Sequence, residues 1–196
     1  MRQFVFFFFA ITFLCSTSYS QNPEMESNTE SWYTYWGVGY SKVIYPHELQ
    51  VIIDSFNDQD GTRHTPVALD MFGFYWHITG NTIAGVNING VGDRFAKAGS
   101  WSQINQYIYG VSFMHFPGNV FGSGLFARTD FGLVKLVIQE SNGKTTVSNS
   151  GLGVLAGGGW SFDLGGTRIL LNINYAFRAV ESESYNTFGF SVGGLF

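Results

Sequence analysis

Read by twos, the chain from residue 32 onward sorts its side chains onto two unlike faces. In 168–180, Ile169, Leu171, Ile173, Tyr175 and Phe177 share one side, and Leu170, Asn172, Asn174, Ala176 and Arg178 share the other. That is the spacing of an extended strand. The same alternation sets Leu125, Ala127, Thr129, Phe131 and Leu133 against Phe126, Arg128, Asp130, Gly132 and Val134. It sets Val154, Ala156, Trp160 and Phe162 against Gly153, Gly157, Gly159 and Ser161, and Val86 and Ile88 against Asn87 and Asn89. At the end of the chain Phe188, Phe190, Val192 and Phe196 alternate with Gly189, Ser191, Gly193 and Leu195. Two segments are apolar on both faces, and in one of them Asp70 is left without an orientation.

The pattern predicts strands over 32–42, 67–79, 82–92, 101–116, 121–138, 152–163, 168–180 and 186–196. Eight strands account for the chain. "TGNT", "FPGN" and "DLGGT" read as tight turns, and 43–66, 93–100, 139–151 and 181–185 as longer polar connections. Alternating long and short links is an up-and-down order. One link breaks the strand pattern: in "PHELQVIIDSF", Leu49, Ile52, Ile53 and Phe56 follow Pro46 at helical spacing, so a short amphipathic helix is expected in the first long loop. It would pack on the barrel mouth or rest at an interface; deleting 46–57 without effect on assembly or surface binding would leave it an ordinary loop helix.

The less apolar face is Gly, Asn, Ser and Ala with single charges, which suits a crowded hydrogen-bonded interior and not a solvated exterior. Apolar out and small-polar in is the arrangement of a membrane barrel, where closure satisfies the edge groups that a bilayer leaves unmet. The expected fold is therefore all-β: a closed antiparallel up-and-down transmembrane β-barrel of eight strands. Trp32, Tyr33, Trp76, Trp101, Tyr107 and Trp160, near strand ends, are expected in interfacial girdles. Composition agrees, with 12% charged residues, 18% aromatics and 25 glycines.

Residues 1–20 have a different character. Arg2, an apolar run from Phe4 to Leu14, and small residues at Ser18 and Ser20 read as a secretory signal peptide, too short to span as a helix. Residues 21–31 read as a flexible leader and 32–196 as the barrel. Cys15 is the one cysteine, and the bulky Phe13 and Leu14 before it argue against a lipid attachment signal. Lys and Arg number ten, one of them Arg2, against fourteen Asp and Glu. This acidic balance argues against a nucleic-acid partner.

With its signal segment, its Gly/aromatic first strand "WGVGYS", its three short turns against four long loops and its final strand ending on Phe196, the chain resembles the small eight-stranded outer-membrane barrels of Gram-negative bacteria, the outer membrane protein A/X-like group. The resemblance implies an outer-membrane location with both termini periplasmic and four loops outside. It implies as partners outer-membrane lipid and lipopolysaccharide, an unidentified surface ligand, and the assembly machinery, which would read Phe188, Phe190 and Phe196.

Candidate chemistry is sparse. Gly143-Lys144-Thr145 lacks the glycine that a phosphate-binding loop needs at position 138, which is Ile. His47, His64, His77 and His115 form no close metal-ligand pair; His77 and His115 are expected at the membrane interface. Ser112 and His115, three apart in a strand, point to opposite faces and form no nucleophile and base. The informative group is "ARTD", which puts Arg128 and Asp130 on the inner face with Arg178, Asn172, Asn174, Asn87 and Asn89. A buried charge demands partners, so a lumen polar network is expected, in an interior that eight strands leave just wide enough for side chains. No cofactor, no metal and no catalytic residue is expected. The role read here is envelope structure or surface interaction, with a lipid-modifying enzyme, a narrow conduit and a secreted lipocalin-like binder as rivals.

Overall fold

The computed structural model describes residues 30–118 and 120–196; the expected signal segment and most of the leader lie outside them. Nine strands form one sheet: β1 (Trp32–Ile44), β2 (Arg63–Thr79), β3 (Thr82–Lys97), β4 (Ser100–His115), β5 (Gly124–Glu140), a short β6 (Thr145–Val147), β7 (Gly151–Asp163), β8 (Arg168–Val180) and β9 (Glu183–Leu195). Every pairing is antiparallel. Neighbours follow chain order, and β1 pairs with β9 from Tyr35↔Leu195 to Ile44↔Asn186, which closes eight of the strands into a barrel. Phe196 continues the seam by exchanging both backbone hydrogen bonds with Thr34 at 2.9 Å. β6 lies outside the ring and pairs with the end of β5.

The exterior is apolar. Ile173, Phe188, Phe190 and Phe196 are about half exposed or more, as are Leu125 and Leu133 of β5 and Leu152 of β7. A surface of this kind stays dry only against another apolar phase, so the band is a lipid-facing one. Trp32 stacks on Phe74 at 5.3 Å near the mouth that carries the strand ends, hereafter the terminal mouth. Trp76 and Trp160 lie outside at the same level. Tyr33 departs from the expected girdle: it is fully buried inside the barrel, because its position in β1 has inward parity. His77 also turns inward, against Phe121 at 5.1 Å, whereas His115 faces out and meets Thr82 at 2.9 Å.

The connections differ from the expected long-short order. The stretches 93–100 and 181–185 are mostly strand. β3 runs on to Lys97 and β9 begins at Glu183, leaving Ala98–Gly99 and Glu181–Ser182 as tight turns with two consecutive positive φ angles. That is the twist of a hairpin turn, made here mostly from residues that do not announce it. Conversely, the "FPGN" link is not a minimal turn. β4 stops at His115 and β5 starts at Gly124, and the chain between them folds back so that Phe116 and Phe121 enter the terminal mouth. The opposite mouth carries two longer links, 45–62 and 141–150.

The first of these contains the helix α1 (His47–Asn57). Leu49, Ile53 and Phe56, spaced to share one face, pack into the barrel against a cluster including Val91, Phe95, Ile104 and Leu136. Phe56 meets Phe95 edge-on at 6.4 Å. Ile52, expected on the buried face, is exposed together with Val51; a helix crossing the rim has room for a narrow stripe only. This end is the helix mouth.

Candidate functional site

Side chains occupy the lumen in three layers. Around the terminal mouth the fill is aromatic and aliphatic, with Tyr33, Tyr35, Tyr75, Phe116, Phe121 and Phe126. Around the helix mouth it is apolar and topped by α1. Between them lies a buried ionic layer, and it is built around Arg128.

Arg128 projects inward from β5 and meets two carboxylates with two forks. Its Nε and Nη2 donate to Asp130 at 3.0 and 2.7 Å, and its Nη1 and Nη2 donate to Asp70 of β2 at 2.9 and 2.7 Å. Bidentate guanidinium–carboxylate pairs are the strongest and most directional that side chains make. The carboxylates are saturated further. Asn89 Nδ2 donates to Asp70 at 3.1 Å, Asn87 Nδ2 to Asp130 at 3.0 Å, and Ser112 Oγ to Asp130 at 2.5 Å while accepting from Tyr75 at 2.9 Å. The face of Tyr35 lies 5.3 Å from the guanidinium.

Arg178 of β8 completes the layer. Its Nη2 donates to Asn89 Oδ1 and its Nη1 to Thr187 of β9, each at 2.8 Å. The expected direct pairing with an opposite charge is not made; amide and hydroxyl oxygens hold it instead. Two arginines and two aspartates nevertheless leave the layer neutral overall, which is what permits four charges in a space this dry. Asn172 and Asn174 line the same wall outside the ionic core: Asn172 Nδ2 lies 3.5 Å from Ser191 Oγ, and Asn174 packs over Gly189. The network thus ties β2, β3, β4, β5, β8 and β9 across the lumen.

Sequence reasoning missed Asp70, Tyr75, Ser112 and Thr187. Charge balance held a signal for the first of them, since two inward arginines against Asp130 alone require a second acid, and Asp70 sits in an otherwise apolar strand. Ser112 and His115 lie on opposite faces, one inside and one outside, so they do not meet.

At the helix mouth a smaller polar group anchors the first link. Tyr45 donates to the buried Asp93 at 2.5 Å, and His64 Nε2 lies 3.1 Å from the same carboxylate while its ring stacks on Phe95 at 4.6 Å. Burial and the adjacent Asp93 carboxylate push the Tyr45 hydroxyl well above the ordinary phenol range, so it stays a donor. Lys97 Nζ donates to Gln59 at 2.9 Å and holds the far end of the link.

No protein-family model matches the chain, and no curated protein matches it by sequence. Among solved structures it is similar to Neisserial surface protein A, with a TM-score of 0.53 at 13% identity over 85% of this chain and 96% of that one. Ail of Yersinia pestis gives 0.49 at 12% identity over 85% and 100%. The N-terminal β-barrel domain of Pseudomonas aeruginosa OprF gives 0.44 at 10% over 85% and 98%. The likeness to the Neisserial protein is one of fold, the small closed antiparallel barrel that the sequence predicts.

Proposed function

We propose that the chain is an integral protein of the Gram-negative outer membrane, exported by residues 1–20 and anchored by the barrel from 32 to 196. Its role is envelope structure or surface interaction without catalysis, exercised at the helix mouth. The observation that carries this reading is the pairing of an apolar outer band with a lumen filled from end to end. The band calls for lipid, and the fill favours neither a solute conduit nor an interior ligand site of the lipocalin kind. What remains available to the outside is the helix mouth, with α1, the 141–150 link and the two hairpin tips. The same orientation puts both termini in the periplasm, and the lipid-facing Phe188, Phe190 and Phe196 become the stretch that the assembly machinery reads. Outer-membrane lipid, including lipopolysaccharide, is the surrounding partner.

Fractionation tests the location. The protein is expected to stay with membranes through a high-salt wash, to need detergent for release, and to shift on gels only when boiled; release by salt alone would sink the membrane reading. In planar bilayers no discrete conductance steps are expected from the wild type, and steady channels abolished by altering Arg128 or Asp130 would favour the conduit instead.

A further inference from the structure

The outer wall carries one feature that neither the ionic layer nor the helix plug explains: a cleft of about 220 Å³ between β2 and β4, running over β3. Its floor is Gly90 and Gly92, consecutive outward positions of β3 that lack side chains. Tyr107 leans over the first, where an added methyl would come within 3.2 Å of its ring. Over the second lies the Asn105 amide, whose Oδ1 an added methyl would meet at 3.0 Å. Toward the bilayer centre the walls are Leu69 and Met71, the latter the residue skipped by a bulge in β2. Toward the helix mouth they are Arg94, Gln103 and Asn105.

The cleft is therefore graded, apolar at its inner end and polar at its outer end, and the change falls where the outward residues of β4 pass from Val111 and Tyr109 to Asn105 and Gln103. Counting about ten residues per tilted span from the Thr79–Thr82 turn brings Gly90 and Gly92 to the far bilayer interface. The Arg94 guanidinium lies over the Trp101 ring, 4.3 Å from its centre, and among the described residues it forms no ion pair. Its N–H edges stay available to an anion. Gln103 Nε2 donates to Asn105 Oδ1 at 2.8 Å, so the two amides are pre-arranged; Asn105 is 7% exposed despite facing out.

We propose that this cleft is a specific site for one phosphorylated glycolipid of the outer leaflet. An acyl chain lies along Leu69 and Met71 beside Tyr107, the phosphate meets Arg94, and sugar hydroxyls meet the amides of Gln103 and Asn105. Charge and polarity match such a lipid in its bilayer orientation, with the cation above the tail groove; a cleft of this size holds one chain, not a whole lipid. The site rests on the outer-membrane reading, and its test separates the two.

The detergent-solubilised full chain is mixed with diphosphorylated lipid A, and bound lipid is counted by native mass spectrometry. Wild type is expected to retain one equivalent. Arg94→Gln is expected to lower retention about tenfold, as befits the loss of a charge-assisted contact, and Gly92→Leu, which pushes the Asn105 amide from its place over β3, by at least as much. Leu152→Ala on the far wall is expected to retain the full equivalent, and boiling-dependent gel shifts confirm that each variant is folded. Equal retention by all variants, no stoichiometric retention, or displacement by an equimolar amount of phosphatidylglycerol would each overturn the site while leaving the membrane reading intact. Release of the protein from membranes by salt would overturn both.

Discussion

The middle and the helix end of the lumen are filled in opposite ways. In the middle, Arg128 and Arg178 meet Asp70, Asp130, Asn89 and Thr187 through bonds whose directions are set by six strands. At the helix end, Leu49, Ile53 and Phe56 press an apolar stripe into an apolar cup. The first fill is directional and all-or-none, because removing one partner strands a buried charge. The second is graded, because each side chain contributes its own area and the helix is tied to the barrel through its links. The difference suggests a division of labour, with the middle layer holding the barrel in register and the helix end able to yield locally. The surface role proposed above needs that combination, since an outer end that rearranges must sit on a wall that does not.

The sharpest break of the comparison is Arg128→Met, which leaves two buried carboxylates facing each other. A loss of about 3–5 kcal/mol is expected, read as a lower urea midpoint for the unfolding of the detergent-refolded barrel. Replacing Arg128, Asp70 and Asp130 together by Met, Asn and Asn should cost less than the single change; an equal or larger loss would mean that the ionic layer is not a unit.

Ile53→Ala should act differently. A local cost of about 2–4 kcal/mol is expected to undock α1 and expose the 58–62 stretch to protease, while the gel shift on boiling persists. Loss of that shift would show the plug to be as integral as the middle layer. Gly110→Ala falls between the two regions: Gly110 and Gly132 face each other across β4 and β5, and an added methyl would run into the backbone of Phe131 and Gly132. About 1–3 kcal/mol of overpacking strain is expected, visible as a lower melting temperature with α1 still protected. The smallest effect belongs to the hairpin tip. Replacing Glu181-Ser182 by Asn-Gly relieves two positive φ angles and should raise stability by a few tenths to about 1 kcal/mol without changing the helix end.

Much of this was legible in the chain. The face assigned to each side chain of 168–180 is the face it takes, down to Arg178 inside and Phe177 outside. Alternation suffices where one neighbour is lipid and the other a packed lumen. It fails where both sides are alike. Beyond the apolar band Asp93 and Arg94 are polar on both faces of β3, so the strand's continuation to Lys97 looked like a loop. Asp70 sits among apolar neighbours on both sides, so its direction had no contrast to show it. Tyr33 carries an aromatic suited to either an interface or a core, and parity placed it inside.

The sequence by itself therefore determined the number of strands in the ring, their closure and which side meets lipid, including the outward Phe188 and Phe190 of the last strand. These follow from a repeat of two residues read against two unlike surroundings. Only the tertiary structure decided which charges meet, that α1 stoppers the mouth with Ile53 and not Ile52, and that Gly90 and Gly92 open a cleft between β2 and β4. Each of these depends on strand register and on residues distant in the chain coming within a few ångströms, and no local pattern encodes that distance.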